Sequence, residues 1–242
     1  MGRLFWDKGH ASLQVSGDPV DGDASIGDSR TVAARVHVNP VKGPEGILHL
    51  GLWGFDEDLN ENNPGVLTRN TRIGGRFNPQ VAINSGPLTG GTGTRGYGFE
   101  LGGFKGPLWA LGEYGERRAF LDDNRPDMVT KAWSLSAGWF LTGEAAPYSA
   151  SGGTFTLPKV KHSVFDGGRG ALELTARYED VAYEGLLTPA DGWAGTVGAN
   201  WYLNNITKLQ LNYIHWQTDN STGAYLGRDQ GQTLSGRVAI TF

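Results

Sequence analysis

Charged side chains recur at alternate positions in several stretches of this sequence. In Leu172–Tyr178 (LELTARY), Glu173 and Arg177 alternate with apolar residues. In the last stretch, Gln232–Phe242 (QTLSGRVAITF), Arg237 lies on the polar side of a similar alternation. Successive side chains of a β-strand point to opposite faces, so these stretches predict strands with one apolar and one charged face. Charges on such a face can pair with one another or select ions by sign.

Catalytic chemistry has little support in the sequence. None of the five histidines stands near a nucleophile motif, no Gly-x-Ser-x-Gly occurs, and no two histidines have zinc-helix spacing. Glu113 and Glu173 could imitate the acid pair of a glycosidase, but facing carboxylates are common inside β-barrels. We therefore predict no enzymatic activity, no metal and no cofactor.

Two loops carry weak ion-binding patterns. Asp56–Pro64 resembles the start of a calcium loop, but Glu61 stands where such a loop needs glycine and Leu67 where it needs glutamate. Gly86–Gly96 is rich in glycine and threonine but lacks the Gly-Lys-Ser/Thr of a phosphate loop. Both are interpreted as solvated loops.

The composition favours a β protein and argues against several partners. The 242 residues include 38 glycines and no cysteine, and 11% are aromatic. The net charge is −4, which argues against nucleic acid as a partner. No run is long and apolar enough for a transmembrane helix. No apolar core of about 7–15 residues follows Met1, so we expect a signal peptide to have been removed from this sequence.

Alternating stretches recur throughout the chain, roughly every 20 residues. They predict a single antiparallel up-and-down transmembrane β-barrel of about 12 strands over residues 1–242, with 1–9 as the remnant of an earlier strand. One of these strands is predicted at Leu67–Phe77, with Arg72 and Arg76 on one face.

Connections between the predicted strands differ in length on the two sides of the barrel. Short turns such as Asn204-Asn205 fall on the side of the C-terminus, and longer loops fall on the other. This asymmetry is typical of outer-membrane barrels, whose short turns are periplasmic and long loops extracellular. The connection at 143–170 breaks the pattern, because it is long yet falls on the periplasmic side.

Several motifs resemble the phosphate-selective porin O/P family. They are GPLWALGEY (106–114), WFLTGE (139–144), GALELTARY (170–178), NWYLNN (200–205), LQLNY (209–213) and the terminal GRVAITF. The resemblance covers roughly residues 30–242. It implies a bacterial outer-membrane barrel, usually trimeric, that passes anions such as phosphate. The expected partners are the lipid bilayer with its lipopolysaccharide, small anions and further copies of the chain as a homotrimer.

The sequence departs from that family in its first part. Family members have a longer N-terminal half with an inward-folded loop at the constriction, and this part is expected to be missing here. The 143–170 connection matches a periplasmic turn that reaches into the pore in the family. The resemblance therefore places Lys159, Lys161 and His162 at a constriction.

The alternation assigns charged residues to the interior of the barrel. The predicted pore-lining residues are Arg35, Arg72, Arg76, Glu100, Glu113, Arg117, Glu173, Arg177, Lys208 and Arg237, with Glu179 also facing inward. These residues carry a surplus of three positive charges although the whole chain is negative. We therefore expect passive diffusion of small solutes with a mild anion preference.

Two alternatives to an open channel remain at this point. The inward charges could pair and fill a closed or plugged barrel, which would conduct no current. A soluble β-barrel that binds a small apolar ligand would instead direct the apolar faces inward, inverting every strand.

Overall fold

A computed structural model describes residues 1–17, 29–59, 65–76, 78–122, 126–185 and 189–241. Phe77 and Phe242 lie outside the described residues, as do most of the loop predicted at 18–29 and part of the acidic loop at 56–64.

Fifteen strands and one short 3₁₀ turn make up the described structure. The strands are β1 (Gly2–Trp6), β2 (Gly9–Ser16), β3 (Ser29–Val38), β4 (Lys42–Gly43), β5 (Gly46–Leu59), β6 (Gly65–Arg72), β7 (Ala82–Lys105), β8 (Leu108–Leu121), β9 (Met128–Phe140), β10 (Tyr148–Ser149), β11 (Thr154–Phe155), β12 (Ala171–Glu184), β13 (Ala190–Tyr202), β14 (Thr207–Asn220) and β15 (Gly227–Ile240). The 3₁₀ turn is Val164–Asp166. The described part of the chain contains no helix that is long and apolar enough to cross a bilayer.

Thirteen of the strands form one antiparallel sheet. Its wall runs in chain order through β1, β2, β3, β5, β7, β8, β9, β12, β13, β14 and β15, while β4 and β6 pair beside β5 and β7. The remaining strands, β10 and β11, pair only with each other. No register joins β15 to β1 within the described residues, so these two strands are the edges of the described sheet. The predicted all-β, up-and-down architecture is confirmed, with a strand count close to the predicted number.

The apolar faces of the wall strands point away from the interior. Leu174, Leu211 and Ile240 are 44%, 54% and 63% exposed, whereas Arg177 lines an internal cavity. A soluble barrel with an apolar interior would show the reverse arrangement, so the structure contradicts that alternative. An apolar outer surface of this extent suits contact with hydrocarbon.

The apolar outer surface ends in charged pairs at the end of the wall where the long loops connect the strands. On the outward face, Arg95 Nη2 lies 2.6 Å from Asp56 Oδ2, and Lys131 Nζ lies 2.7 Å from Glu184 Oε2. Two residues below Lys131, Trp133 packs against the Tyr178 ring. Aromatic side chains at the border of an apolar band are typical of a membrane-interface girdle.

The strand predicted at 67–77 is present over residues 67–72, but its placement in the wall was wrong. It corresponds to β6, which pairs only with residues 82–91 of β7. The inner hairpin (residues 65–91) that they form packs against inward-facing residues of β12, β13 and β14. An inward-folded element is therefore present in this chain, contrary to the expectation that it is missing.

The error has a physical cause. A hairpin folded into a barrel shows the same alternation of period two as a wall strand, and alternation does not specify which neighbour a strand pairs with. Residues 86–96 look like a loop because glycine has low strand propensity, but they belong to β7, a strand of 24 residues.

Candidate functional site

A cavity with a volume of about 580 Å³ lies on the inward side of the sheet. Its walls come from the inward faces of β8, β9 and β12–β14. The turn of the inner hairpin borders it with Arg72, Gly74 and Gly75, and the connection 143–170, here called the inner segment, borders it with Pro147 and 155–158. Two inward elements and the sheet thus border one open space.

The inner hairpin is fixed mainly by apolar contacts. Ile83 and Val81 are buried in one cluster with Tyr183, Ile214 and Trp216 of the opposite wall. Polar contacts align this packing. Gly74 N donates to Glu179 Oε1 at 2.6 Å, Thr71 Oγ1 lies 2.6 Å from Tyr183 Oη, and Asn220 Nδ2 donates to Ala82 O at 2.8 Å.

A row of three histidines fixes the inner segment. His10, His37 and His49 lie on neighbouring strands, with ring centroids 4.6 Å and 5.4 Å apart. Each ring contacts the inner segment through one nitrogen. His10 Nδ1 lies 3.2 Å from Ser151 O, and His37 Nε2 lies 2.9 Å from Ala150 O. His49 Nδ1 lies 2.7 Å from Tyr148 Oη. Because carbonyl oxygens only accept, the nitrogens facing Ser151 O and Ala150 O must carry hydrogen.

Asn39 and Tyr148 complete this attachment. Asn39 Nδ2 donates to Ala150 O at 2.7 Å, and Tyr148 Oη donates to Asn39 Oδ1 at 2.8 Å. Burial raises the pKa of Tyr148 to about 12, so the hydroxyl keeps its proton at neutral pH. Gly153 allows the segment to turn here, because its φ is +63° and a Cβ would lie 2.6 Å from the His37 ring.

Most of the predicted inward carboxylates are occupied by donors from the protein. Glu100 accepts from Arg35 Nη2 at 2.6 Å and lies 2.9 Å from His49 Nε2. Arg177 Nη2 lies 3.2 Å from Glu179 Oε2. These pairs hold charges in place but leave little of them for a solute.

Glu173 is the most completely coordinated of these carboxylates. It is buried and accepts from Trp109 Nε1 at 2.8 Å, from Asn200 Nδ2 at 2.8 Å and from Tyr202 Oη at 3.0 Å. The Trp109 indole can lie along the wall because Gly138 has no side chain, since a Cβ there would be 2.3 Å from Trp109 Nε1. This network sets the position of Trp109 beside the cavity.

The remaining predicted residues differ in their surroundings. Arg117 Nη2 contacts Glu57 Oε2 at 3.3 Å, and Glu113 accepts a long 3.4 Å contact from Ser134 Oγ. Arg72 Nη1 donates to Arg76 O at 2.7 Å within the inner hairpin. In the described part of the chain, Lys208 and Arg237 make no hydrogen bond or ion pair. Lys208 lies instead over the Tyr202 ring, 5.4 Å from its centroid.

The pairing registers add inward charges that the sequence did not identify. Glu57 and Asp229 are on the inward face, because they stand opposite inward-facing Thr94 and Thr218, and Arg3 stands opposite inward-facing Ser12. With these residues, the inward charges of the wall balance. The inner hairpin adds three positive charges, those of Arg69, Arg72 and Arg76, so the surplus lies on the hairpin and not on the wall.

The structure places Lys159, Lys161 and His162 away from the cavity. All three are exposed, and Lys161 Nζ donates to Gly143 O at 2.6 Å. The inner segment instead presents Phe155 and Leu157 to the cavity. The sequence did give a signal for the histidine row, because His10, His37 and His49 all fall on the inward positions of alternating strands, but the alternation did not show which groups would face them.

The fold and the site define a class of protein. An antiparallel β-wall with an apolar exterior, charged interior and two inward elements around a cavity is the architecture of a transmembrane β-barrel channel. The sequence matches the family described as phosphate-selective porin O and P over residues 6–242, and the chain belongs to this family of outer-membrane porins. The family resemblance inferred from the motifs is confirmed, and it points to a channel and not to an enzyme.

Similar proteins agree with this assignment. The chain is 27% identical to Porin O of Pseudomonas aeruginosa (strain PAO1) over 266 residues, which cover 98% of this chain and 58% of Porin O. The chain thus spans less than two thirds of the length of that relative. Two solved structures of OmpT from Vibrio cholerae, in-vitro folded and outer-membrane expressed, match with TM-scores of 0.52 and 0.50. Each match is 12% identical and covers 97% of this chain and 60% of OmpT, which supports the fold alone.

Proposed function

We propose that this chain forms an outer-membrane channel for passive diffusion of small solutes, with a mild preference for anions such as phosphate. The observation that carries the proposal is the charge distribution around the cavity. The carboxylates that line the cavity, Glu173 and Glu179, accept hydrogen bonds from protein donors. Lys208, which also lines it, makes no hydrogen bond or ion pair among the described residues. Arg72 adds a second cation from the inner hairpin.

The physical basis is the short range over which a narrow pore acts on ions. A fixed charge in a confined, low-dielectric space selects ions by sign more strongly than the same charge on an open surface. Because the inward charges of the wall balance, the arginines of the inner hairpin set the sign, and Lys208 adds a wall cation that lines the same cavity as Arg72. The expected preference is therefore mild and depends on Arg72 and Lys208.

The reversal potential in a KCl gradient tests this proposal on the refolded chain in planar bilayers. We expect a potential of the sign that anion selectivity produces. The double variant Arg72→Gln/Lys208→Gln should move it towards zero, while Arg118→Gln, on the outward face, should leave it unchanged. A cation-selective potential in the unmodified chain would reject the anion preference. Comparison of phosphate with chloride in single-channel recordings then tests the solute class.

A closed scaffold is the second candidate, and one observation favours it. The inner hairpin and the inner segment both occupy the interior of the wall. A closed barrel would show heat-modifiable migration in detergent but no current.

The membrane partners remain predictions. We propose contact of the apolar outer face with lipid and lipopolysaccharide, and assembly as a homotrimer. The mass of the refolded protein in detergent, measured by light scattering, distinguishes a trimer from a monomer.

A further inference from the structure

The cavity has an apolar side that simple charge selection does not use. Phe155 and Leu157 line it, yet they are 40% and 51% exposed. The Phe155 ring meets Trp109 edge to face, with centroids 4.8 Å apart. Apolar side chains exposed in a concave site with polar borders are typical of ligand-binding surfaces.

The same cavity also carries cationic side chains. Arg177 of β12 and Lys208 of β14 line it. Arg177 shares its charge with Glu179, but Lys208 makes no hydrogen bond or ion pair among the described residues. Lys208 is therefore the cation most available to an anion that enters the cavity.

The carboxylate of Glu173 lines the same cavity. Glu173 is buried and holds hydrogen bonds from Trp109, Asn200 and Tyr202. These donors occupy the oxygens of Glu173 but do not neutralise its charge, so the cavity lining keeps a net charge of about +1, from Arg72, Arg177 and Lys208 against Glu173 and Glu179. The surface available to a solute thus combines an apolar shelf (Trp109, Phe155 and Leu157) with an amine.

We infer that the site prefers monocarboxylates that carry an aromatic or compact apolar group, a solute class that rests on the proposed channel function. The ring would cover the apolar shelf while the carboxylate faces Lys208. An inorganic anion gains only from the cation, and an uncharged ring gains only from the shelf. The cavity volume of about 580 Å³ lies within the range of sites that bind small molecules.

Fluorine NMR titration tests the inference on the full chain folded in detergent, and it needs no current. The probes are para-fluorobenzoate, which has both ring and carboxylate, and fluoroacetate, which has only the carboxylate. We expect Phe155→Ala or Leu157→Ala to weaken para-fluorobenzoate binding about fivefold and to leave fluoroacetate unchanged. Lys208→Gln should weaken both probes. Phe99→Ala, which removes a ring from the outward face, is the control and should change neither.

Two results would overturn the inference. One is equal binding of the two probes by the unmodified chain, and the other is an equal effect of Phe155→Ala and Phe99→Ala on para-fluorobenzoate. Phe155 and Leu157 are exposed, so the variants Phe155→Ala and Leu157→Ala should fold, and heat-modifiable migration checks this. Failure of the proposed function is seen separately, as a cation-selective or absent KCl current, while the titration still decides the solute class.

Discussion

The inner hairpin and the inner segment border one cavity but are held by different forces. The hairpin is packed by buried apolar side chains such as Ile83 and Val81 against β12–β14. The segment at 148–153 is held by hydrogen bonds from His10, His37 and Asn39 to its backbone carbonyls. One attachment is apolar and the other is polar and contains titratable groups.

This difference has consequences for how the two elements respond to change. Apolar burial is nondirectional and tolerates small shifts, and it does not depend on protonation. Hydrogen bonds to imidazoles depend on geometry and on pH in the physiological range. We therefore expect the hairpin to determine the stability of the site and the segment to be its adjustable part.

The largest expected effect comes from the apolar attachment. Ile83→Ala should lower the free energy of unfolding by about 2–5 kcal/mol, because Ile83 is fully buried and the site cannot collapse freely. Denaturant titration in detergent measures the change. Val197→Ala on the outward face is the matched control and should cost less than about 1 kcal/mol. Equal losses in the two variants would show that the hairpin is not held by burial.

A substitution at Gly153 should loosen the inner segment and leave the inner hairpin unchanged. Gly153→Ala should cost about 1–3 kcal/mol and expose residues 148–153 to hydrogen exchange, because φ is positive and the new Cβ meets the His37 ring. Gly167→Ala is a close control, since Gly167 also has positive φ but no atom within 4 Å of its Cβ position. If both variants expose 148–153 equally, contact with His37 is not the cause.

Two inward carboxylates differ in how many hydrogen bonds they accept. Glu173 is buried and accepts three, whereas Glu113 accepts one long contact. Glu173→Gln should cost about 1–3 kcal/mol, because one amide cannot accept from all three donors. The unfolding midpoint reports this, together with the fluorescence of Trp109. Glu113→Gln removes only one long contact and should have little effect. The opposite order would show that the donors of Glu173 find other acceptors.

Acidification should loosen the segment and leave the hairpin unchanged. A charged His37 would lie between His10 and His49 on the face that carries Arg35. Glu100 pairs with Arg35 and His49, and not with His37. Because His37 Nε2 already carries the hydrogen that Ala150 O accepts, a proton added at the buried Nδ1 keeps this bond, and the attachment is weakened by the new charge beside His10, His49 and Arg35.

Hydrogen exchange at about pH 7.5 and pH 5, corrected for intrinsic rates, measures this effect. Protection at 148–153 should fall about threefold to tenfold, the effect of about 1 kcal/mol of charge repulsion and burial, while protection at 82–88 stays constant. The variant His37→Gln, which cannot be charged, should reduce the pH dependence. Equal pH dependence at both sites would refute the distinction between the two attachments.

Much of the wall could be predicted from alternation alone. Glu173, Arg177 and Arg237 face inward as their sequence positions indicate, because strand side chains alternate whatever their neighbours are. The location of the positive surplus could not be predicted in the same way. It depended on Glu57 and Asp229, whose orientation follows from pairing registers beyond the ends of the predicted strands, and on the inward fold of the hairpin that carries Arg69.

The sequence by itself determined which side of each strand meets lipid and which meets the interior, since that choice is local and repeats every second residue. Only the tertiary structure decided that residues 65–91 fold inward as a hairpin and that three histidines on neighbouring strands meet residues 148–151. These contacts join residues more than 95 positions apart, and no local pattern specifies which distant surface a strand or a loop will meet.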